Sequence, residues 1–241
     1  MTGPGHHATE PAHSSRRVRL WWSTGKDSAW ALYTLRKTPG VEVVGLVTTV
    51  TPHFGRVAIH GTRLELLDAQ ARRTGLPVER IELPWPCSNR DYEAAVAPAL
   101  ARARSDGVTG MAFGDLFLSD VRDYRERLLE GSGIEPLFPL WGRDTAELAH
   151  EMVAGGLEAV ITALDPGRVD RSLAGERWDP ERIAALSPGV DPCGENGEFH
   201  TCVIDAPVFD APLGVERGVE VEREGVVYRD LALGEGGGAA E

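Results

Sequence analysis

The residues whose types and order could do chemistry lie first in the stretch 23–28: Ser23, Thr24, Gly25, Lys26, Asp27 and Ser28. The apolar run 18–22 precedes them and a helical pattern over 29–35 follows. A strand that hands small residues to a helix start leaves the N–H groups of the first turn unpaired at the positive end of the helix dipole, a ready site for phosphate. Lys26 adds a compact, mobile charge there, and it is one of only two lysines, with Lys37, among 25 basic residues. An ammonium beside Gly25 follows a phosphate in a way that a rigid guanidinium fork does not. The plain alternative is an ordinary strand-to-helix turn capped by Ser23 or Ser28.

A second group stands late in the chain, where Asp191, Pro192, Cys193 and Gly194 lead into Glu195, Asn196, Gly197, Glu198, Phe199, His200 and Thr201. Glycines permit backbone turns closed to other residues, so such a loop can bring carboxylates, an amide and an imidazole to one ligand or metal. The same letters also suit a hairpin turn with solvated carboxylates. Asp115, after Gly114, falls just beyond a predicted strand end, where a ribose or phosphate–magnesium contact and a helix cap are both open. His60 faces a nucleotide or caps a helix. Asp120, Arg122, Asp123, Arg125 and Glu126 read as a solvated helix face, Trp21 and Trp22 as core, and His6 and His7 as no metal site.

The elements that must position these residues alternate. Strand patterns at 41–49, 78–83, 110–113 and 157–164 interleave with helical patterns at 62–73, 91–104, 120–130 and 145–154, and an extended run broken by prolines spans 134–140. Alternation of this kind predicts an α/β fold, a Rossmann-like doubly wound parallel sheet with ligands beyond the carboxyl ends of its strands. After Asp165 short strand patterns at 201–205, 219–222 and 225–228 predict a smaller C-terminal α+β lobe. The expected organisation is a disordered lead over 1–15, a nucleotide-binding domain over 16–131, a substrate-recognition lobe over 132–232 and a disordered tail over 233–241.

Composition bounds the function. The chain has 241 residues, 42% hydrophobic and 26% charged, enough for a sizeable core, and its net charge of -12 disfavours nucleic acid, whose sequence-independent binding needs clustered cations. No stretch approaches a membrane span and the start lacks a signal pattern. Three cysteines, Cys87, Cys193 and Cys202, form no C-x-x-C pair, which fits a reducing compartment, the cytoplasm, and argues against structural zinc.

Spacing excludes two common phosphate loops. A Walker loop needs glycine where Leu20 stands and a hydroxyl where Asp27 follows the lysine, and a dinucleotide fingerprint needs three glycines where this loop has Gly25 alone. The hexamer instead resembles the pyrophosphate loop, S-G-G-x-D-S, of the N-type ATP pyrophosphatases, with Thr24 in place of the first glycine. Together with the late stretch 195–201, it resembles the diphthine-ammonia ligase family, whose late motif reads E-G-G-E-[FY]-E-T. Asn196 and His200 replace a glycine and a glutamate of that motif. His60, Glu65 to Leu67, Gln70 with Ala71, and Gly75 to Pro77 resemble the family's second helix, and 139–142 its P-L-W-G motif. The segment 114–126 resembles a bacterial branch of the family.

The resemblance implies adenylation: a carboxylate attacks the α-phosphorus of ATP, pyrophosphate leaves into residues 23–28, and ammonia or an amine displaces AMP. It implies Lys26, Asp27 and Glu198 as catalytic, with Asp27 on Mg²⁺. Ser23, Thr24, Gly25, Ser28, Val47, Thr48, His60, Gly114 and Asp115 would bind nucleotide. Glu195, Asn196, Gly197, Glu198, His200 and Thr201 would bind the acceptor, with homo-oligomers open. A nucleotide sensor with little turnover and a sulfur-inserting tRNA enzyme are the alternatives, and product analysis separates them.

Overall fold

The computed structural model describes residues 15–234; the expectations for the lead before Ser15, including His6 and His7, and for the tail beyond Gly234 lie outside the described residues. The larger sheet contains β1 (Arg16–Trp21), β2 (Val41–Thr51), the two-residue β3 (Arg56–Val57), β4 (Val78–Glu82), β5 (Gly110–Ala112) and β6 (Glu135–Leu137). β2 pairs parallel with β1 on one side and β4 on the other, and β5 pairs parallel with β1 and β6. From Gly45 to Val50 β2 has small or β-branched side chains buried on both faces apart from Leu46, the composition expected of a strand covered by helices on both sides. The chain therefore steps outward from β1 through β2 to β4, then crosses back to place β5 and β6 on the opposite side. The reversal falls between β1 and β5, and in such a sheet the ligand crevice opens there, beyond the carboxyl ends.

Five helices cover this sheet: α1 (Lys26–Arg36), α2 (Leu64–Thr74), α3 (Asn89–Ser105), α4 (Ser119–Leu129) and α5 (Thr145–Ala154). Local chemistry fixes their ends. α3 opens on a capping box in which Ser88 and Asp91 satisfy each other's backbone N–H groups, and α2 stops at Gly75, whose φ of 68° is open to glycine at little cost.

The second sheet holds β7 (Glu158–Leu164), β8 (Phe199–Asp205), β9 (Val215–Arg223) and β10 (Val226–Leu233), all antiparallel in the order β8-β7-β10-β9, with the short α6 (Pro180–Ala184) in the connection before β8. Three expectations change here. The 157–164 run is not the next strand of the parallel series: β6 is three residues long with Pro136 at its centre, a poor partner for another strand, and β7 pairs with β8 and β10 instead. The pieces at 219–222 and 225–228 are the inner ends of one long hairpin, turned by Glu224 and Gly225 with φ of 53° and 81°, as a type I′ turn requires. β10 runs through Leu233, so that residue is strand rather than tail.

One hydrophobic cluster runs from Leu20, Trp22 and Leu46 of the first sheet to Ile161, Phe199 and Val203 of the second. Gln70, fully buried on α2, joins them: it accepts from Trp22 Nε1 at 2.8 Å and donates to the carbonyls of Thr24 at 3.0 Å and Val203 at 2.8 Å.

Candidate active site

A cleft of about 720 Å³ opens at the reversal between β1 and β5. Ser23, Lys26, Asp27 and Ser28 form its floor, whereas Thr24 and Gly25, expected at the nucleotide, lie outside its lining. Thr24 holds φ at 73°, a strained value for a β-branched residue. Its neighbours fix it there: its hydroxyl lies 2.8 Å from that of Thr62, and its carbonyl accepts from Val203 N–H at 2.9 Å as well as from Gln70. Gly25 admits no side chain, since a Cβ would stand 2.8 Å from His60 Cε1 and 3.2 Å from the Thr201 carbonyl. α1 starts at the next residue with no side-chain cap. Gly114 seats the loop after β5 on this first turn: a Cβ there would be 2.9 Å from the Asp27 carbonyl carbon.

Lys26 is not the mobile charge the sequence suggests. Its side chain is 2% exposed, and its ammonium binds the Cys193 carbonyl and, at 2.9 Å, Asp27 Oδ2, with the rings of Trp178 and Phe199 at 5.5 and 5.6 Å. Burial opposes its charge, but Asp27 and the neighbouring acidic groups hold its pKa above the ordinary value. Its backbone N–H is also taken, by Thr201 Oγ1 at 3.1 Å. Burial drives the Asp27 carboxyl upward despite Lys26. Asp27 Oδ1 is buried with no hydrogen-bond partner. The hydroxyls of Ser23 and Ser28 lie 3.2 Å apart at the floor.

The late loop folds over this floor on its own scaffold. Asp191 Oδ1 accepts from the N–H groups of Cys193 at 2.9 Å and Glu195 at 3.2 Å, which curls the chain, and Gly194 and Gly197 take φ of 70° and 82°. It is not a solvated hairpin. Glu195 reaches across to accept from Leu116 N–H at 2.7 Å and lines the cleft, where burial raises its pKa to about 7. Glu198, expected as catalytic, is fully buried and outside the cleft wall: its Oε1 accepts from Asp191 N–H, the Asn196 amide and Arg168, at 3.1, 3.1 and 3.0 Å. Burial opposes its ionisation, but those donors outweigh it and keep the carboxyl below its ordinary pKa. Asn196 and Gly197, expected at the acceptor, also lie outside the wall and serve the turn.

His60 and His200 meet above Gly25 with ring centroids 4.7 Å apart, and Nδ1 of His60 lies 3.2 Å from the Thr201 carbonyl. Burial pushes them down to about 3 and about 4 respectively, so both are neutral at pH 7. Thr48 lines the cleft with Thr49 and Thr51, whereas Val47 is 1% exposed and packs in the core with Ile81 and Met111. The carboxyl end of β2 from Thr48 onward reaches the cleft, and Val47 lies one step short of it.

Asp115 and Gly114 line the opposite wall, as does Arg125, which the charge pattern had assigned to a solvated face. The Arg125 guanidinium lies over the rings of Phe113 and Trp21 at 4.9 and 5.6 Å, donates to the Tyr92 hydroxyl at 3.2 Å and stands 3.6 Å from Asp115 Oδ2. Burial raises the Asp115 pKa against the pull of Arg125. Arg122 does keep the expected helix pairing, with Glu126 at 2.8 Å. Tyr92, Ser88 and Trp21 also line the cleft unannounced. Among the described residues no three or more His, Cys, Asp or Glu side chains group as a metal site, and no helix is long and apolar enough to cross a membrane.

Fold and site define a Rossmann-like α/β protein whose pyrophosphate-type loop lies at the switch point of its parallel sheet. The diphthamide synthase N-terminal domain matches residues 16–136 and the diphthamide synthase C-terminal domain residues 144–231. The chain belongs to the diphthamide synthase family. It is similar to the diphthine–ammonia ligase of Rattus norvegicus, 31% identical over 131 residues that make up 52% of this chain and 49% of that one. That of Homo sapiens is 31% identical over 45% of this chain and 43% of its own, and that of Schizosaccharomyces pombe 35% identical over 35% and 14%. The chain thus spans about half the length, or less, of the curated relatives it matches.

Proposed function

We propose that the protein is an ATP-dependent ligase that forms AMP and pyrophosphate while activating a carboxylate for amide formation. The observation that carries this reading is the start of α1 at the switch point, where Thr201 takes the Lys26 N–H and the N–H groups of Asp27 and Ser28 have no side-chain cap, beside a cleft of nucleotide size. Membership of the family, and the name of its curated relatives, support it.

In this reading the adenine lies toward Thr48 and Thr49 and the pyrophosphate over residues 23–28. The acceptor carboxylate attacks the α-phosphorus, the bond to the β-phosphate bridge breaks, and pyrophosphate leaves along the axis of α1, where the helix dipole and the open N–H groups meet its charge. Ser23 and Ser28 hold it by their hydroxyls. Arg125, the guanidinium fixed in the opposite wall, supplies the phosphates with the positive charge that Lys26, tied to Asp27 and Cys193, does not. Ammonia or an amine then attacks the acyl carbon, AMP departs, and Glu195, poised near neutrality, takes the proton the nitrogen sheds. Asp27 Oδ1, buried and without a partner, fits Mg²⁺, a cation that takes hard oxygens; bound there it would neutralise phosphate charge. Residues 132–232 contribute the acceptor side of the cleft.

Product analysis tests the reading. Purified protein given ATP, Mg²⁺ and ammonium, with and without a metabolite extract, is expected to form AMP and pyrophosphate, and Asp27→Asn to lose about 100-fold or more of that rate. ADP as product, or tight ATP binding with no turnover in any extract, would sink it and leave another phosphotransfer or a sensor.

A further inference from the structure

A second cavity of about 490 Å³ opens beside the cleft and shares Thr51, Val57, Ala58, Ile59 and Trp85 with it. Both sheets build it: the end of β2 with β3, the segment after β4, and the β9–β10 hairpin through Val219, Val221 and Tyr228. The large hydrophobic side chains left exposed among the described residues are Phe54, Ile59, Trp85, Phe117 and Val219, and all but Phe117 line this one cavity. Singly scattered apolar residues need no explanation, but a gathered set marks a binding surface. Ile59 combines 71% exposure with φ of 67°, so a β-branched residue bears solvent exposure and backbone strain at once, a pairing that collects at ligand sites. Phe54 meets Trp85 edge to face at 5.1 Å.

Most charges in the wall are already matched. Asp230 binds Arg56 at 2.7 Å and Arg63 at 2.6 Å, and Arg229 binds Glu220 at 2.6 Å, while the Arg223 guanidinium lies 5.4 Å over the Phe54 ring, next to Glu224 in sequence. What the cavity offers a ligand is therefore aromatic and aliphatic surface. It stands one residue away from the phosphate loop, because Ile59 borders both cavities, His60 packs on Gly25, and Gly61 lies against the Tyr228 ring, 3.0 Å from where its Cβ would be.

We propose that this cavity seats the apolar or aromatic body of the acceptor, with its carboxylate extending past Ile59 and His60 to the α-phosphate. It selects carboxylic acids with a hydrophobic body over small or polar ones. A carboxylate that attacks ATP must belong to a molecule bound against the nucleotide cleft, and this is the cavity that shares its wall. The proposal rests on the adenylation reading above and names the acceptor class for it.

The probe is 8-anilinonaphthalene-1-sulfonate, an aromatic anion that fluoresces in apolar sites, added to the 241-residue chain. It is expected to bind at a single site and to stay bound at saturating ATP. Val219→Glu, at a strand position already exposed, and Phe54→Ala are each expected to weaken the dye by about tenfold or more while ATP affinity changes by less than about twofold. Phenylacetate, indole-3-acetate and decanoate should displace the dye and stimulate AMP release that Val219→Glu loses; acetate and glutamate should do neither. Dye expelled by ATP, or held equally by Val219→Glu, overturns the cavity as a ligand site. AMP release driven by glutamate or acetate and indifferent to Val219→Glu overturns the acceptor assignment and leaves adenylation standing. Displacement by the apolar acids with no AMP from any of them overturns the acceptor assignment while the cavity keeps its preference, and adenylation falls with it only where the metabolite extracts also release no AMP.

Discussion

Among single side chains, burial and donor count decide which carboxylate keeps its charge. Glu195 titrates near 7 where a free glutamate titrates near 4.5. The folded state therefore holds a proton there that the unfolded chain has lost, and stability falls as pH rises from about 4.5 to 7. Glu195→Gln, which still accepts from Leu116 N–H, should lack that slope and gain on the wild type by at most about 3 kcal/mol at pH 8, read by denaturant unfolding at pH 5 and pH 8. The histidines run the other way: with pKa values depressed to about 3 and 4, they contribute stability above about 6.5 that is lost as pH falls toward 4. The two trends oppose each other between about 4.5 and 6.5, so His200→Gln and Glu195→Gln separate what the wild-type curve merges. Residue types and spacing named the loop 23–28 and both histidines. They did not tell Glu195 from Glu198, because the two glutamates differ only in which neighbours the curl at Asp191 brings to them. Nor did they find Arg125: its helix spacing suits a solvated pair, and the rings it leans on come from Trp21 at the end of β1 and Phe113 just after β5, which local spacing does not bring together.

At the scale of elements, two glycines test how closely α1 must be approached. Gly114→Ala drives a methyl into the backbone of Asp27 and Ser28, and is expected to destabilise by about 1–3 kcal/mol and to weaken ATP binding, measured by calorimetry. Gly197→Ala meets no atom within 4 Å and bears only its φ of 82°, roughly 1–2 kcal/mol, with little effect on ATP. Equal losses of ATP affinity in the two would contradict the seating of the β5 loop on the phosphate floor. The helices were legible nearly to the residue because caps and apolar spacing are local, as in the match of α5 to its predicted 145–154. The partnership of β7 was not, since a fully buried strand reads the same in a parallel as in an antiparallel sheet.

For the whole molecule, the join between the sheets is polar at its centre and apolar around it. Gln70→Leu leaves Trp22 Nε1 and the Val203 carbonyl without their partner in a dry interior, and should cost about 2–4 kcal/mol in chemical denaturation. A loss below about 0.5 kcal/mol would show that the join is held by its hydrophobic surround alone. The expected boundary at 131–132 falls short of β6, which carries the first sheet on to Leu137. The grip of Lys26 on the Cys193 carbonyl has a thermodynamic corollary. An anion could reach this ammonium only by competing with the curl at 191–198 for the same three protons, so a phosphate that did so and the late loop would be coupled ligands of one side chain. By reciprocity, whatever fixes that curl would then alter the affinity for such an anion by the same factor that the anion alters the affinity for it.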